Sequence, residues 1–365
     1  MAIHCETKKN QEIMVSKSSG SEEKHKLVRC KVNPSDLASI SPLVLGGAVL
    51  NQQYTDDPEA IPLEEIIKHA FTHGINAIDT SPYYGPSEIL YGKALNNLKD
   101  DFPRNTYFIC TKVGRIAEDD FDYSREFVRF SVHRSCKRLN TTYLDLVYLH
   151  DVEFVAFPQI LEALKELRIL KNEGIIKNFG LSGYPIDFVT WIAEHCSARE
   201  NDIGSLDAAL SYCNLNLQNN RLLKFRERLL HDANLKMVCN ASILSMSLLR
   251  SQETREFHPC SQELRECASE AAKYCQEQNT DLADLATRYA IAEWIDKGPV
   301  VLGVSSMGEL KHALDNYENV KSNGNKMSLK DQRLASFIQK NIFKEHFNEA
   351  WPSGIPHPEM MEAYS

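Results

Sequence analysis

GINAIDTSPYYGPSEILYGKAL, residues 74–95, is the stretch whose reading decides how this chain folds. Its first part, INAIDTS, is a short apolar run of strand type that carries Asp79 near its end. A polar turn with Tyr84 and Gly85 follows, and then a periodic segment of helix type. Strand, chemically able turn and helix make one β-α unit, and the arrangement recurs. TYFICTKV (106–113) carries Lys112 near its end and LDLVYLH (144–150) ends in His150. Further out stand PLVLGGAVL (42–50), IIKNFGLS (175–182), LDAALSYC (206–213), LKMVCNASI (235–243) and PVVLGVS (299–305). Each is apolar throughout rather than alternating, as strands covered on both faces are. They alternate with stretches such as LEEIIKHAFTHG (63–74) and FPQILEALKELRILKNEG (157–174), whose apolar residues recur three and four apart. Gly174 is the expected stop of the second of these helices. Eight such units without a long linker predict an α/β fold, a (β/α)8 TIM barrel with a C-terminal helical extension. A doubly wound sheet is the competing architecture, but it wants a GxGxxG turn where this chain has LGGAVLN (45–51).

The barrel is expected as a single domain over residues 28–345, behind a disordered tail at 1–27 and ahead of a C-terminal coil at 346–365. A net charge of -9 and a pI near 5.8, with no basic stripe, argue against nucleic acid as a partner. No apolar run is long enough to span a bilayer, and the first residues lack the apolar stretch of a secretory signal. The 10 cysteines contain no CxxC pair and read as free thiols, which points to the cytoplasm. His69 and His73 stand four apart on a helix, a metal-compatible spacing without a third ligand, so no metal site is expected.

In a parallel barrel the strand ends converge on one face. Asp79, Tyr84, Lys112 and His150 then meet as a carboxylate, a phenol, an amine and an imidazole. Free tyrosine and lysine ionise near ~10 and ~10.4. Lys112 beside Tyr84 favours the phenolate, Asp79 holds the ammonium by ion pairing, and His150 hydrogen-bonds the reacting oxygen. The group is suited to general acid-base chemistry that accompanies hydride transfer, with Tyr84 moving the proton. Tyr54, Tyr83 and Phe154 follow strand ends and are candidates to line a substrate pocket.

The opening stretch resembles the signature of the aldo-keto reductases through Gly74, Asn76, Asp79, Tyr84, Gly85, Ser87, Glu88 and Gly92. The Lys112 and His150 strands follow at the spacing of that family. The resemblance implies a barrel that binds a nicotinamide dinucleotide in extended form, with Tyr84 as acid-base residue and Asp79, Lys112 and His150 in support. It further implies that Ser182, in FGLSGYP (179–185), contacts the nicotinamide carboxamide, with Gly183 in place of the usual Asn. NASILSMSLL (240–249) resembles the segment that wraps the pyrophosphate, through Ala241, Ser242, Leu244 and Ser247.

In VVLGVSSMGELKHAL (300–314), NADP-using members often place Lys and Arg that pair with the 2′-phosphate. Gly303 and Glu309 stand at those positions here, with Ser305 between them. A carboxylate repels phosphate and accepts hydrogen bonds from a free ribose hydroxyl, so the expected cofactor is NAD. The competing reading of Glu309 is an acid favoured in a helix's first turn. The run GVSSMG lacks the Lys-Ser/Thr of a P-loop.

VLGGAVLNQQY (44–54), TKVGR (111–115), LSYCNLNL (210–217) and SGIPHPE (353–359) resemble one branch of the family, the sugar 1-dehydrogenases. That branch implies NAD-dependent oxidation of an aldose at C1, D-arabinose foremost, to the aldonolactone in erythroascorbate-type biosynthesis. Two other readings stay open: an NADPH-dependent aldehyde reductase, and a non-catalytic, cofactor-sensing barrel subunit.

Overall fold

Strands β1 (Leu43–Gly46), β2 (Ala77–Asp79), β3 (Phe108–Val113), β4 (Leu144–His150), β5 (Ile176–Gly183), β6 (Ala208–Tyr212), β7 (Met237–Ala241) and β8 (Val300–Gly303) close into a barrel in chain order. Every neighbouring pair is parallel. Each of the eight apolar runs coincides with one of these strands, to within a residue at the end of β5, and the (β/α)8 expectation is met. The computed structural model describes residues 30–198 and 202–363, and the tail expected at 1–27 lies outside them.

Parity along the strands determines what the barrel displays, because successive side chains point to opposite faces. Phe108 and Cys110, Leu146 and Tyr148, Ala208 and Leu210, and Met237 and Cys239 pack together inside. Their neighbours in sequence Ile109, Val147 and Leu149, with Phe179 and Leu181 of β5, join the layer between strands and helices. One step up the same inward columns, Asp79 follows Ala77, Lys112 follows Cys110 and His150 follows Tyr148. All three therefore end at the C-terminal mouth. The opposite mouth is closed by residues 30–41: Leu37 and Ile40 enter the inner cluster, and Asn178 Nδ2 donates to Pro34 O at 2.8 Å.

The outer layer is formed by α1 (Leu63–Thr72), α2 (Ser87–Asn97), α3 (Arg125–Arg138), α4 (Phe157–Asn172), α5 (Ile186–Ser197) and α6 (Leu222–Glu227), followed by α7 (Gln262–Glu277), α8 (Leu282–Trp294) and α9 (Met307–Ser322). Side-chain caps start several of them: Ser124, Ser261, Asp281 and Ser306 each accept a first-turn N–H. Gly174 closes α4 in the left-handed region, with φ +77. The expected C-terminal extension is α10 (Leu329–Phe337), which packs with α7 and α8 around Leu264, Leu285, Leu334 and Ile338. No helix among the described residues is long and apolar enough to cross a membrane.

The stretch expected as coil from 346 is irregular as far as His357 and then forms α11 (Pro358–Ala363). Pro352, Gly354 and Pro356 deny its irregular part a regular ladder, and docking holds it instead. Gln218 Nε2 donates to His346 O (2.7 Å) and Glu349 O (3.2 Å). Trp351 stacks on Tyr184 with centroids 4.4 Å apart and planes at 5°. The chain's end thereby lies against the C-terminal mouth, beyond the reach of any local sequence signal.

Candidate active site

Lys112 Nζ stands 2.5 Å from Asp79 Oδ1 and donates to Thr80 O at 3.0 Å, both side chains buried. It also lies 4.8 Å from the centre of the Tyr84 ring, and a Lys112–Tyr84 hydrogen bond contributes to both groups' ionisation. The Tyr84 and His150 rings meet edge to face, centroids 5.5 Å apart at 87°. The four residues read from three strand ends are thus one cluster.

Burial alone would lower the Lys112 ammonium, but Asp79 and Tyr84 outweigh it and hold the group charged. Burial raises the Asp79 carboxyl above its usual range while Lys112 pulls it back. Tyr84 departs from the sequence expectation. Burial pushes the phenol of this partly buried residue up to about 12, and Lys112 offsets only part of that. The resting tyrosine is a phenol, not a phenolate.

His150 is held as a neutral imidazole, its pKa well below the ordinary value through burial and through the nearby Lys112 and Arg115 charges. Its Nδ1 lies 3.0 Å from Ser81 Oγ, and that oxygen already accepts the Tyr83 N–H at 3.1 Å. The hydroxyl proton is then free for Nδ1, which leaves Nε2 carrying the ring hydrogen. Tyr123 OH donates to His150 O at 2.7 Å from below. Beyond Nε2, Asp151 Oδ2 stands at 3.6 Å, paired with Arg115 Nη1, and Arg115 covers the Tyr83 ring at 4.2 Å. Arg115 and Asp151 were not singled out in the sequence. The signal was available: Asp151 directly follows the end of β4 in LHD, and Arg115 stands two residues beyond the end of β3 in TKVGR.

The residues proposed for a dinucleotide ring the same mouth. Ser182 is the Cα partner of His150 across the β4–β5 ladder and is buried. Ala241 ends β7, and Ser242, Leu244 and Ser247 lie in the turn that follows. Ser242, Ser245, Met246 and Ser247 all take positive φ, a strained run for residues with side chains. Such left-handed stretches form concave sites lined with backbone N–H groups. The run is braced by Met246 N–H on Ser242 Oγ (3.1 Å), Arg255 N–H on Ser247 Oγ (2.9 Å) and His258 Nε2 against Ser245 O (2.9 Å).

At the eighth strand, a side chain on Gly303 would meet Val49 Cγ1 at 2.7 Å. Glu309 caps α9: its N–H bonds Ser306 Oγ (3.1 Å), while its Oε2 accepts from Ser305 N–H (2.6 Å) and Ser305 Oγ (2.9 Å). These bonds bear out the reading of Glu309 as an acid favoured in the helix's first turn. Arg250, unremarked in the sequence, lies near enough for Glu309 to act on its charge.

Of the aromatic candidates, Tyr83 joins the cluster, 5.7 Å from the His150 ring. Tyr54 packs edge-on against Phe257, and Phe154 stacks on Phe121. A cleft of about 600 Å³ opens beside Tyr83, lined by Asn51, Gln53, Asp56 and Glu118 among others. His69 and His73 stack on each other at 4.1 Å, away from the mouth. Among the described residues no three His, Cys, Asp or Glu side chains are grouped to hold a metal.

Comparison with known proteins places the chain among relatives. The chain is 81% identical over 335 residues to D-arabinose 1-dehydrogenase of Saccharomyces cerevisiae, covering 92% of this chain and 100% of that protein. It is 34% identical over 312 residues to L-galactose dehydrogenase of Arabidopsis thaliana, covering 85% and 91%. Among solved structures, an aldo-keto reductase from Bacillus halodurans in its holo form superposes with TM-score 0.61 at 20% identity, over 85% of this chain and 96% of that one. A glycerol dehydrogenase from Gluconobacter oxydans gives 0.58 at 20% identity, over 87% and 96%. At that identity the likeness is one of fold. Residues 42–329 match the aldo/keto reductase family. That span runs from β1 to the start of α10 and holds all four clustered side chains, and the chain belongs to the aldo/keto reductase family.

Proposed function

We propose that the protein oxidises an aldose, D-arabinose foremost, at C1 to the aldonolactone, with NAD as hydride acceptor and Tyr84 taking the hydroxyl proton. The observation that carries this reading is the 81% identity to the yeast enzyme over that enzyme's whole length. Aldo/keto reductases use nicotinamide cofactors, and the donor set here suits one. Ser182 beside His150 matches a carboxamide, and the left-handed run at 242–247 matches a pyrophosphate. When bound, NAD supplies the acceptor for the hydride. The free thiols fit a reducing compartment, and the reading places the protein in the cytoplasm.

The chain's own part is orientation and proton movement. His150 Nε2–H donates to the anomeric oxygen and fixes it beside the Tyr84 hydroxyl. Tyr84 takes the proton, and the Lys112 ammonium stabilises the negative charge that the phenol must carry to act as a base. The amides and carboxylates of the neighbouring cleft suit the remaining hydroxyls of a sugar.

Because burial places Tyr84 near 12, the base form grows with pH across the whole working range. kcat for sugar oxidation at saturating sugar is expected to climb from pH 7 to 9, whereas kcat for reduction of a carbonyl, which needs the phenol, stays flat. A flat oxidation profile would remove Tyr84 as the base. Glu309→Gln is expected to raise kcat/KM with NADP by about tenfold while changing NAD little, since it removes the charge that opposes a 2′-phosphate. The proximity of Arg250 favours the second reading, use of NADPH, and an unchanged ratio in Glu309→Gln would support it. Steady-state rates for a panel of aldoses and simple aldehydes with NAD and with NADP test the proposal. Highest kcat/KM for an aldose with NAD is expected, and preference for simple aldehydes with NADPH would overturn it.

A further inference from the structure

Glu153 is 1% exposed, three residues beyond His150, and takes no part in the chemistry above. Its Oε1 accepts from three directions: Tyr184 N–H after β5 (3.0 Å), Tyr212 OH at the end of β6 (3.4 Å) and Ser353 Oγ in the C-terminal segment (3.3 Å). Its backbone carbonyl accepts from Ile355 N–H at 2.9 Å and meets His357 Nε2 at 3.0 Å. Its Oε2 has no partner among the described residues. Two glycines make room for it. A Cβ on Gly183 would stand 2.8 Å from Oε2, and one on Gly354, with φ +87, would stand 2.3 Å from the Glu153 carbonyl oxygen.

We propose that Glu153 is a positioning residue that clasps the C-terminal segment 351–357 to the ends of β4, β5 and β6, so that this segment forms a wall of the substrate site. Substrate recognition rests here on the reaction proposed above, but the clasp itself does not. Among the described residues, every hydrogen bond shown from the segment to the β4 end runs through this one residue, on side chain and backbone alike. Trp351 on Tyr184 and His357 on Phe188 (3.7 Å, 18°) press the segment down on either side.

The donors on Oε1 favour the carboxylate, but burial outweighs them. Facing Glu153 are Asp151, already paired with Arg115, together with Tyr123, Tyr184, Tyr212 and His357. Burial, and then the Asp151 charge, push the Glu153 carboxyl up to about 8. With the folded value above the unfolded one, the docked state holds the proton more tightly. Docking is therefore fully present at low pH and weakens as pH rises towards and through 8.

Trp351 reports on the clasp without any turnover. The chain has 3 tryptophans, and a Trp351→Phe variant isolates its signal. In the full-length protein, Trp351 fluorescence is expected to titrate near pH 8, and Glu153→Gln, which is neutral at all pH, is expected to abolish that inflection while keeping the docked signal. Glu153→Ala is expected to raise the sugar KM by about tenfold while leaving kcat and NAD affinity nearly unchanged. An inflection that persists in Glu153→Gln, or a sugar KM unmoved in Glu153→Ala, would overturn the proposal. If no sugar is oxidised at all, the reaction proposed above fails while the fluorescence titration still decides the clasp.

Discussion

Tyr84→Phe is expected to lower kcat for sugar oxidation by about 10³-fold and to leave NAD affinity within about twofold of wild type. The substitution removes a single oxygen. General acid-base catalysis by a positioned side chain is worth about 10²–10⁴-fold, and here Tyr84, as the phenolate that Lys112 stabilises, is the group in the cluster positioned to take the proton. Lys112 stays charged against Asp79, and His150 is held neutral in place by Ser81. The partly buried ring keeps its packing against His150, so thermal unfolding should move little. Single-turnover rates with saturating NAD, together with a binding titration of the variant, check both halves. Retention of more than a few per cent of the rate would assign the proton to another group.

Lys112→Met should cost both activity and stability, and the two losses can be separated. The pair is buried, and Asp79 Oδ2 already lacks a partner. Removing one member of a buried ion pair strands the other and costs about 3–5 kcal/mol. At about 2 °C per kcal/mol for a large domain, Tm should fall by roughly 6–10 °C. Tyr84 would also lose the charge that opposes its burial, so turnover should drop by at least about 10²-fold. The double variant Asp79→Asn with Lys112→Met leaves no stranded charge. Most of the lost Tm is expected to return and none of the lost turnover. A double variant as unstable as the single one would show that the ion pair is not what the site is built around.

The barrel was legible because each strand is buried on both faces, and an unbroken apolar run such as LDLVYLH announces that burial directly. Parity then carried Asp79, Lys112 and His150 to one mouth, since each sits an even number of residues above an inward-facing neighbour. Ionisation was less legible. Pairwise chemistry suggests that an amine beside a phenol lowers its pKa, but the burial that raises Tyr84 depends on everything packed around it. The left-handed run after Ala241 was also hidden, because Ser, Met and Ser lack the glycine that usually marks positive φ. Glu153 and the C-terminal segment were the least visible part. Their contacts join residues about 200 positions apart, and WPSGIPH has neither helical nor strand periodicity to reveal a docked conformation. Glu309 shows the opposite situation: its place in a helix's first turn was readable from the sequence, and the structure adds its bonds to Ser305 and Ser306.

The central claim is that hydride leaves C1 of the sugar while Tyr84 takes the proton from the oxygen on the same carbon. D-arabinose carrying deuterium at C1, incubated with the enzyme and NAD, tests it most directly. The account predicts that the label appears on the nicotinamide ring of the reduced cofactor, that the lactone is free of it, and that Tyr84→Phe suppresses the transfer. Label retained in the sugar product, or absent from the reduced cofactor, would contradict it.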